Sequence, residues 1–176
     1  MMVRNCLNAD DIERLYKYGE RSELILYDII KSYCPDAIMT ERYDKFDYII
    51  ETDEKIVLIE LKTRKNAKNK FNTTYFPTSK ITYYKQFKKS SLDNPKNKIV
   101  YLIIVFGFPD DTDDLENTSF KYYGIQYKPS YFKDFNITKN PYCDDYNFNI
   151  PIENLKDISY YLDLLKYKDK NVLNKN

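Results

Sequence analysis

The chain has no histidine and no tryptophan, and among its 176 residues only three are glycine and three cysteine. The missing histidine excludes Ser-His-Asp and Cys-His nucleophile systems, HEXXH zinc sites and nucleases built on a histidine base. Any chemistry must therefore run on carboxylates, lysine, arginine, tyrosine or a hard metal ion. Cys6, Cys34 and Cys143 are odd in number, far apart and without CxxC spacing. They form neither a disulfide framework nor a zinc site and are expected to be reduced, mostly packing thiols. No apolar run approaches the ~18 residues of a membrane span, the longest being residues 99–108. The opening MMVRNCLNADD lacks the apolar stretch of a signal peptide. A soluble, intracellular protein with no membrane partner is expected.

What is present is ample apolar material, 43% hydrophobic against 31% charged residues. That supports a real core, and the length suits one domain over 1–176. The dominance of Tyr, Asn, Lys and Ile reads as a coding bias of a low-GC genome. The net charge of +1 conceals segregation. No acid occurs between Glu60 and Asp93, a window holding Lys62, Arg64, Lys65, Lys68, Lys70, Lys80, Lys85, Lys88 and Lys89. Acids gather instead in Asp110-Asp111-Thr112-Asp113-Asp114-Leu115-Glu116. Local charge, more than the net value, sets attraction for a polyanion, although a lysine-rich segment can also be a solvated face.

The spacing of Ile12, Tyr16, Gly19, Glu23, Leu26 and Ile30 predicts an amphipathic helix over 10–32, capped by Asn8 or Asp10 and ended by Pro35. Residues 46–51 and 56–62 read as strands joined by a turn at 52–55. A polar loop over 66–74 precedes a helix over 78–91, with Thr78 or Ser79 as cap. Residues 98–108 read as a central strand, 110–117 as a loop, 120–128 as a strand and 152–167 as a closing helix with a fraying tail. Residues 129–150 give no clear pattern. The order α-β-β-α-β-β-α predicts an α/β fold, a mixed sheet of about four to five strands flanked by helices.

The chemistry concentrates between Asp47 and Lys62. With Asp53 and Glu54 at the centre of the turn, Asp47 faces Glu60 across the hairpin, and Lys62 points to the same side. Two facing carboxylates among apolar neighbours (Phe46, Ile49, Val57, Ile59, Leu61) repel, and a divalent cation would offset that repulsion. Paired carboxylates with the carbonyl of Leu61 suit Mg²⁺, which keeps several waters. On the predicted helix Glu23 falls about 20° from the centre of the apolar stripe and Glu20 about 80° away. A Glu so placed is costly unless paired or bound to metal, so Glu23 is the candidate third carboxylate.

Asp47…Glu60-Leu61-Lys62, with an acid on the preceding helix, resembles the PD-(D/E)xK, restriction-endonuclease-like nuclease superfamily. Gly19-Glu20-Arg21-Ser22-Glu23-Leu24 is similar to the helix of its Holliday-junction-resolvase-like members, which place their Glu four residues after a Gly. The resemblance covers residues 10–92. Phe46 stands where the family name has Pro, and Asp36, after Pro35, is an outside alternative to Asp47. A second [DE]-x-K, Asp53-Glu54-Lys55, belongs to the turn. The resemblance implies a restriction-endonuclease-like core and a metal-dependent deoxyribonuclease. Asp47, Glu60, Lys62 and Glu23 would be catalytic, and Asp47, Glu60, Leu61 and Glu23 would hold Mg²⁺ or Mn²⁺. Hydrolysis would leave a 5′-phosphate.

Beyond the motif, Arg64, Lys65, Lys80, Lys85, Gln86, Lys88 and Lys89 are candidate nucleic-acid contacts, since lysines neutralise phosphates and interleaved rings can stack on bases. Gln86 and Lys80 also resemble the helix residue that assists the site in the superfamily. Without a visible recognition domain, structure-selective or non-specific cutting of DNA is expected over base-specific restriction. Junction resolution would require a homodimer. Two other readings stay open: a catalytically silent nucleic-acid-binding module, and a sugar-phosphate or nucleotide hydrolase using the same carboxylates.

Overall fold

The computed structural model describes residues 8–42, 44–92, 98–141 and 143–166. Cys6 and the Asn/Lys-rich tail lie outside them. Helix α1, Ala9–Tyr33, begins where Asn8 accepts the Asp11 N–H at 2.7 Å and stops before Pro35. Then come strands β1 (Ile38–Met39), β2 (Tyr48–Glu51), β3 (Lys55–Thr63) and β4 (Thr73–Pro77), helix α2 (Thr78–Leu92), and strands β5 (Ile99–Pro109) and β6 (Phe120–Gln126). A short helix α3 (Pro129–Phe132), strands β7 (Ile137–Lys139), β8 (Tyr146–Pro151) and β9 (Lys156–Asp157), and helix α4 (Ile158–Lys166) complete the order.

Strands β1-β2-β3-β5-β6-β9 form one mixed sheet in that order, with β3 and β5 parallel and the other pairs antiparallel. The parallel pair needs a crossover, which β4 and α2 supply. The near-continuous apolar run of β5 follows from its central place: every residue from Val100 through Pro109 is buried, and only Ile99 at its start is exposed. One face of the sheet packs Val57, Ile59, Leu61 and Ile103 against Leu26 and Ile30 of α1 and Leu162 of α4. The other packs Leu58, Leu102 and Ile104 with Ile81 and Tyr84 of α2. The expected mixed α/β organisation is therefore observed.

Three expectations change. Residues 129–150 supply two strands, β7 and β8, which with β4 form a second sheet of order β4-β8-β7. β7 is only three residues long, and the alternation Tyr146-Asn147-Phe148-Asn149-Ile150 of β8 is masked by the Asn, Asp and Pro around it, which read as loop; β4 likewise takes the end of the supposed polar loop. The closing helix begins six residues late, because residues 152–157 form a 3₁₀ turn and β9 first. On α1 the buried residues are Tyr18, Ser22, Leu26 and Ile30, while Ile12 and Tyr16 are exposed. The first half of the stripe is rotated because hydroxyls, not alkyl groups, seat it. Tyr122 donates to the Ser22 carbonyl at 2.8 Å, and Tyr18 donates to the Arg64 carbonyl at 2.5 Å.

Candidate active site

The β2–β3 register pairs Tyr48 with Ile59, which places Asp47, one residue before the strand, opposite Glu60. The Asp47 N–H donates to the Ile59 carbonyl at 3.0 Å, extending the ladder. Asp47 Oδ2 then accepts the Leu61 N–H at 2.6 Å. Asp36, by contrast, is exposed in the turn after α1. Glu60 lies on the sheet face covered by α2 and is fully buried, 0% exposed. Its Oε1 receives Lys62 Nζ at 2.6 Å and Lys80 Nζ at 2.8 Å. Its Oε2 is buried with no hydrogen-bond partner in the protein.

Of Lys80 and Gln86, the two α2 residues that resemble the superfamily's assisting residue, Lys80 reaches the acidic centre. It stands in the first turn of α2 and reaches inward to Glu60 and to the Lys45 carbonyl at 2.7 Å. It is a member of the acidic centre, not an outer contact. The start of α2 is fixed by Asp145, which accepts the hydroxyls of Thr78 at 3.0 Å and Ser79 at 2.6 Å. The expected caps are thus donors to a carboxylate from a distant segment, a partner that local sequence does not reveal. Gln86, one and a half turns further along, is exposed, as are Lys85, Lys88 and Lys89.

Glu23 is half-buried on the flank of the stripe, not at its centre. Its helix packs on the sheet face opposite Glu60, with the Tyr48 hydroxyl donating to the Glu23 carbonyl at 2.7 Å. Burial pushes the Glu23 carboxyl upward, with Lys62 opposing and the charges of Glu20 and Glu60 reinforcing the shift. Burial also raises Asp47, to about 6, and the Glu60 charge adds to it; the Leu61 N–H and Lys62 act the other way. These shifts are the electrostatic signature of acids crowded out of water.

Among the described residues no three acidic or sulfur side chains form a group able to hold a metal by themselves. The donors that do converge, Asp47 and Glu60, still fit a hard cation. Both are oxygen donors, they face each other, and Glu60 keeps an unpartnered buried oxygen. Mg²⁺ retains waters and needs only one or two carboxylates. Glu23, expected as a third carboxylate, does not join Asp47 and Glu60 in such a group.

Arg64 is committed internally. It donates to Thr74 Oγ1 at 3.0 Å and to the Tyr75 carbonyl, and its guanidinium lies 4.2 Å from the Tyr75 ring centre and 5.1 Å from that of Phe106. Burial lowers its pKa to about 10. It ties β4 to the main sheet, which displaces it from the expected row of outer contacts. Lys65 beside it is exposed.

No protein-family model and no curated protein sequence matches this chain. Solved structures similar in fold include the following two. One is Hjc, a Holliday junction resolvase of Archaeoglobus fulgidus, at 14% identity and TM-score 0.47, covering 86% of this chain and 98% of that one. The other is D212, a nuclease from a fusselovirus, at 15% identity and TM-score 0.48, covering 92% of this chain and 95% of that one. Neither likeness, at these scores, says what this chain does.

Proposed function

We propose that the chain is a divalent-cation-dependent nuclease that hydrolyses phosphodiester bonds, with DNA as its substrate. The observation that carries the reading is Glu60: a wholly buried carboxylate, faced by Asp47, gripped through one oxygen by two lysines and left unpartnered at the other. The second lysine, the facing acid and the orphaned oxygen go beyond what one ion pair requires. A buried charge is retained at such cost where chemistry uses it.

Asp47, Glu60 and the Leu61 carbonyl would hold Mg²⁺, or Mn²⁺ in its place, with Glu23 contributing through water. When bound, the cation supplies Lewis acidity to the phosphate and its leaving oxygen. The chain's own groups do the rest. Glu60 holds the ammonium groups of Lys62 and Lys80 beside the reacting phosphate. Lys62 orients the attacking water, and Lys80, released from Glu60 Oε1 as the substrate enters, neutralises charge that grows on the phosphoryl oxygens. Asp47 is kept in line by the Leu61 N–H. No covalent intermediate is required.

The test is incubation with supercoiled plasmid, single-stranded DNA, a four-way junction and RNA, each with Mg²⁺, Mn²⁺ or EDTA, beside Glu60→Ala and Lys62→Ala. The expected outcome is metal-dependent cutting of DNA that both substitutions reduce by at least about a hundredfold, with folding checked by circular dichroism. A second reading has its own observation: Lys62 and Lys80 already compensate Glu60 within the protein, as they would in a silent binding module. Salt-sensitive binding without cutting under every metal would select it.

A further inference from the structure

The acidic stretch 110–117 plays no part in the centre just described, yet it forms one wall of a cavity of about 580 Å³. The opposite wall is the first half of α1. Arg14, Lys17, Arg21 and Lys65 bring four cations to the lining, Asp11 and Glu116 two acids, and Leu15, Tyr18 and Leu115 an apolar floor. The volume suits a small organic ligand. The loop wall is built, not loose. Asp111 accepts the Asp113 N–H at 2.8 Å, Asp114 accepts from Asn117, and Arg21 pins the loop by donating to the carbonyls of Leu115 at 3.0 Å and Thr118 at 2.8 Å. At the floor the Tyr18 hydroxyl donates to the carbonyl of Arg64, just past the end of β3.

At the mouth, Glu116 Oε1 bonds Arg14 at 2.8 Å, with both side chains about two-thirds exposed, 67% and 65%. An ion pair so solvated is weakly held, and a phosphate is a better partner for a guanidinium. Glu116 therefore occupies the place of an anion that can replace it.

We propose that this cavity holds one unpaired nucleotide of the substrate strand, its phosphate taking Arg14 from Glu116 and its base lying on Leu15, Tyr18 and Leu115. A base within a duplex stays stacked and paired and cannot enter a walled cavity without being turned out, so the cavity selects strands with an unpaired residue. The proposal takes its substrate from the nuclease reading above, while the binding it describes needs no cutting.

The experiment is fluorescence anisotropy of a short labelled single strand and its blunt duplex, in EDTA so that neither is cut. Glu116→Gln should tighten single-strand binding by up to about fivefold, the equivalent of a released surface pair. Asp113→Asn makes the same charge change away from Arg14 and should do less. Arg14→Gln should weaken binding and lower the salt slope by about one. Leu115→Trp, which fills the floor, should weaken the single strand and spare the duplex. Equal effects of Glu116→Gln and Asp113→Asn, or equal effects of Leu115→Trp on both DNA forms, would overturn the proposal. Cutting in Mg²⁺ with such indifferent variants would sink the pocket alone. Responsive binding without cutting would uphold the pocket and sink catalysis. No binding to either DNA would sink both.

Discussion

Asp47 shows how a single carboxyl can report on the centre without any substrate. Its folded pKa, about 6, lies above the ordinary 3.8, chiefly through burial and then through Glu60. A raised carboxyl favours the folded state while protonated, so that stabilisation is present below pH 3.8 and is lost as pH rises through about 6. Glu23 is displaced in the same direction. The shift at Asp47 corresponds to a contribution on the order of 3 kcal/mol. In EDTA these two carboxyls should therefore contribute a fall in melting temperature between pH 4 and pH 7, against the opposite pull of carboxyls held low such as Asp145. Asp47→Asn, which keeps an acceptor for the Leu61 N–H, should flatten that fall. At pH 7, Mg²⁺ should raise the melting temperature of the parent chain and leave Asp47→Asn unmoved. Parallel pH curves for the two chains would show that the acidic centre carries no such strain.

The elements explain which parts of this centre were legible. The hairpin was, because a two-residue side-chain period and one turn fix which residues face each other, so Asp47 and Glu60 fell opposite without knowledge of the rest. Lys80 and Glu23 were harder, since each depends on how a helix is rolled. The roll of α1 is set by Ser22 and Tyr18, polar residues that hydrophobic periodicity discounts. It is also set by Gly107 of β5, where an added Cβ would meet Ser22 Oγ and the Tyr122 ring at 3.0 Å. Gly107 thus lets the helix lie close, at the end of β5 where its carbonyl accepts the Arg64 N–H at 2.8 Å. Gly107→Ala should cost about 1–3 kcal/mol of stability in denaturant unfolding, as overpacking does. By lifting α1 it should also weaken any contribution of Glu23 to cutting. Adding Ser22→Ala should restore part of the stability, a coupling between neighbours. Strict additivity of the two changes would place the strain elsewhere.

At the scale of the whole molecule, the nine-cation window is divided by the fold. Lys62 and Lys80 point into the acidic centre, Arg64 braces the second sheet, and Lys65 opens on the cavity. A run read, Lys62 apart, mainly as one row of outer contacts is thereby spent on several tasks, and local pattern could not place Arg64, because the second sheet that claims it closes through residues distant in sequence. Only Lys85, Lys88 and Lys89 remain on the outside of α2. Helical geometry separates even these: Lys88 lies two turns from Lys80 and about 80° round the axis, Lys89 about 180° round. A strand lying across the centre can follow the flank that carries Lys88 and leaves Lys89 behind. Lys88→Gln should weaken DNA binding without base preference and lower the salt slope by about one, while Lys89→Gln should change neither measurably. Salt titrations of the two variants test the path directly. Equal slopes for both would mean that the lysines act only as diffuse charge and that this flank of α2 does not guide the strand.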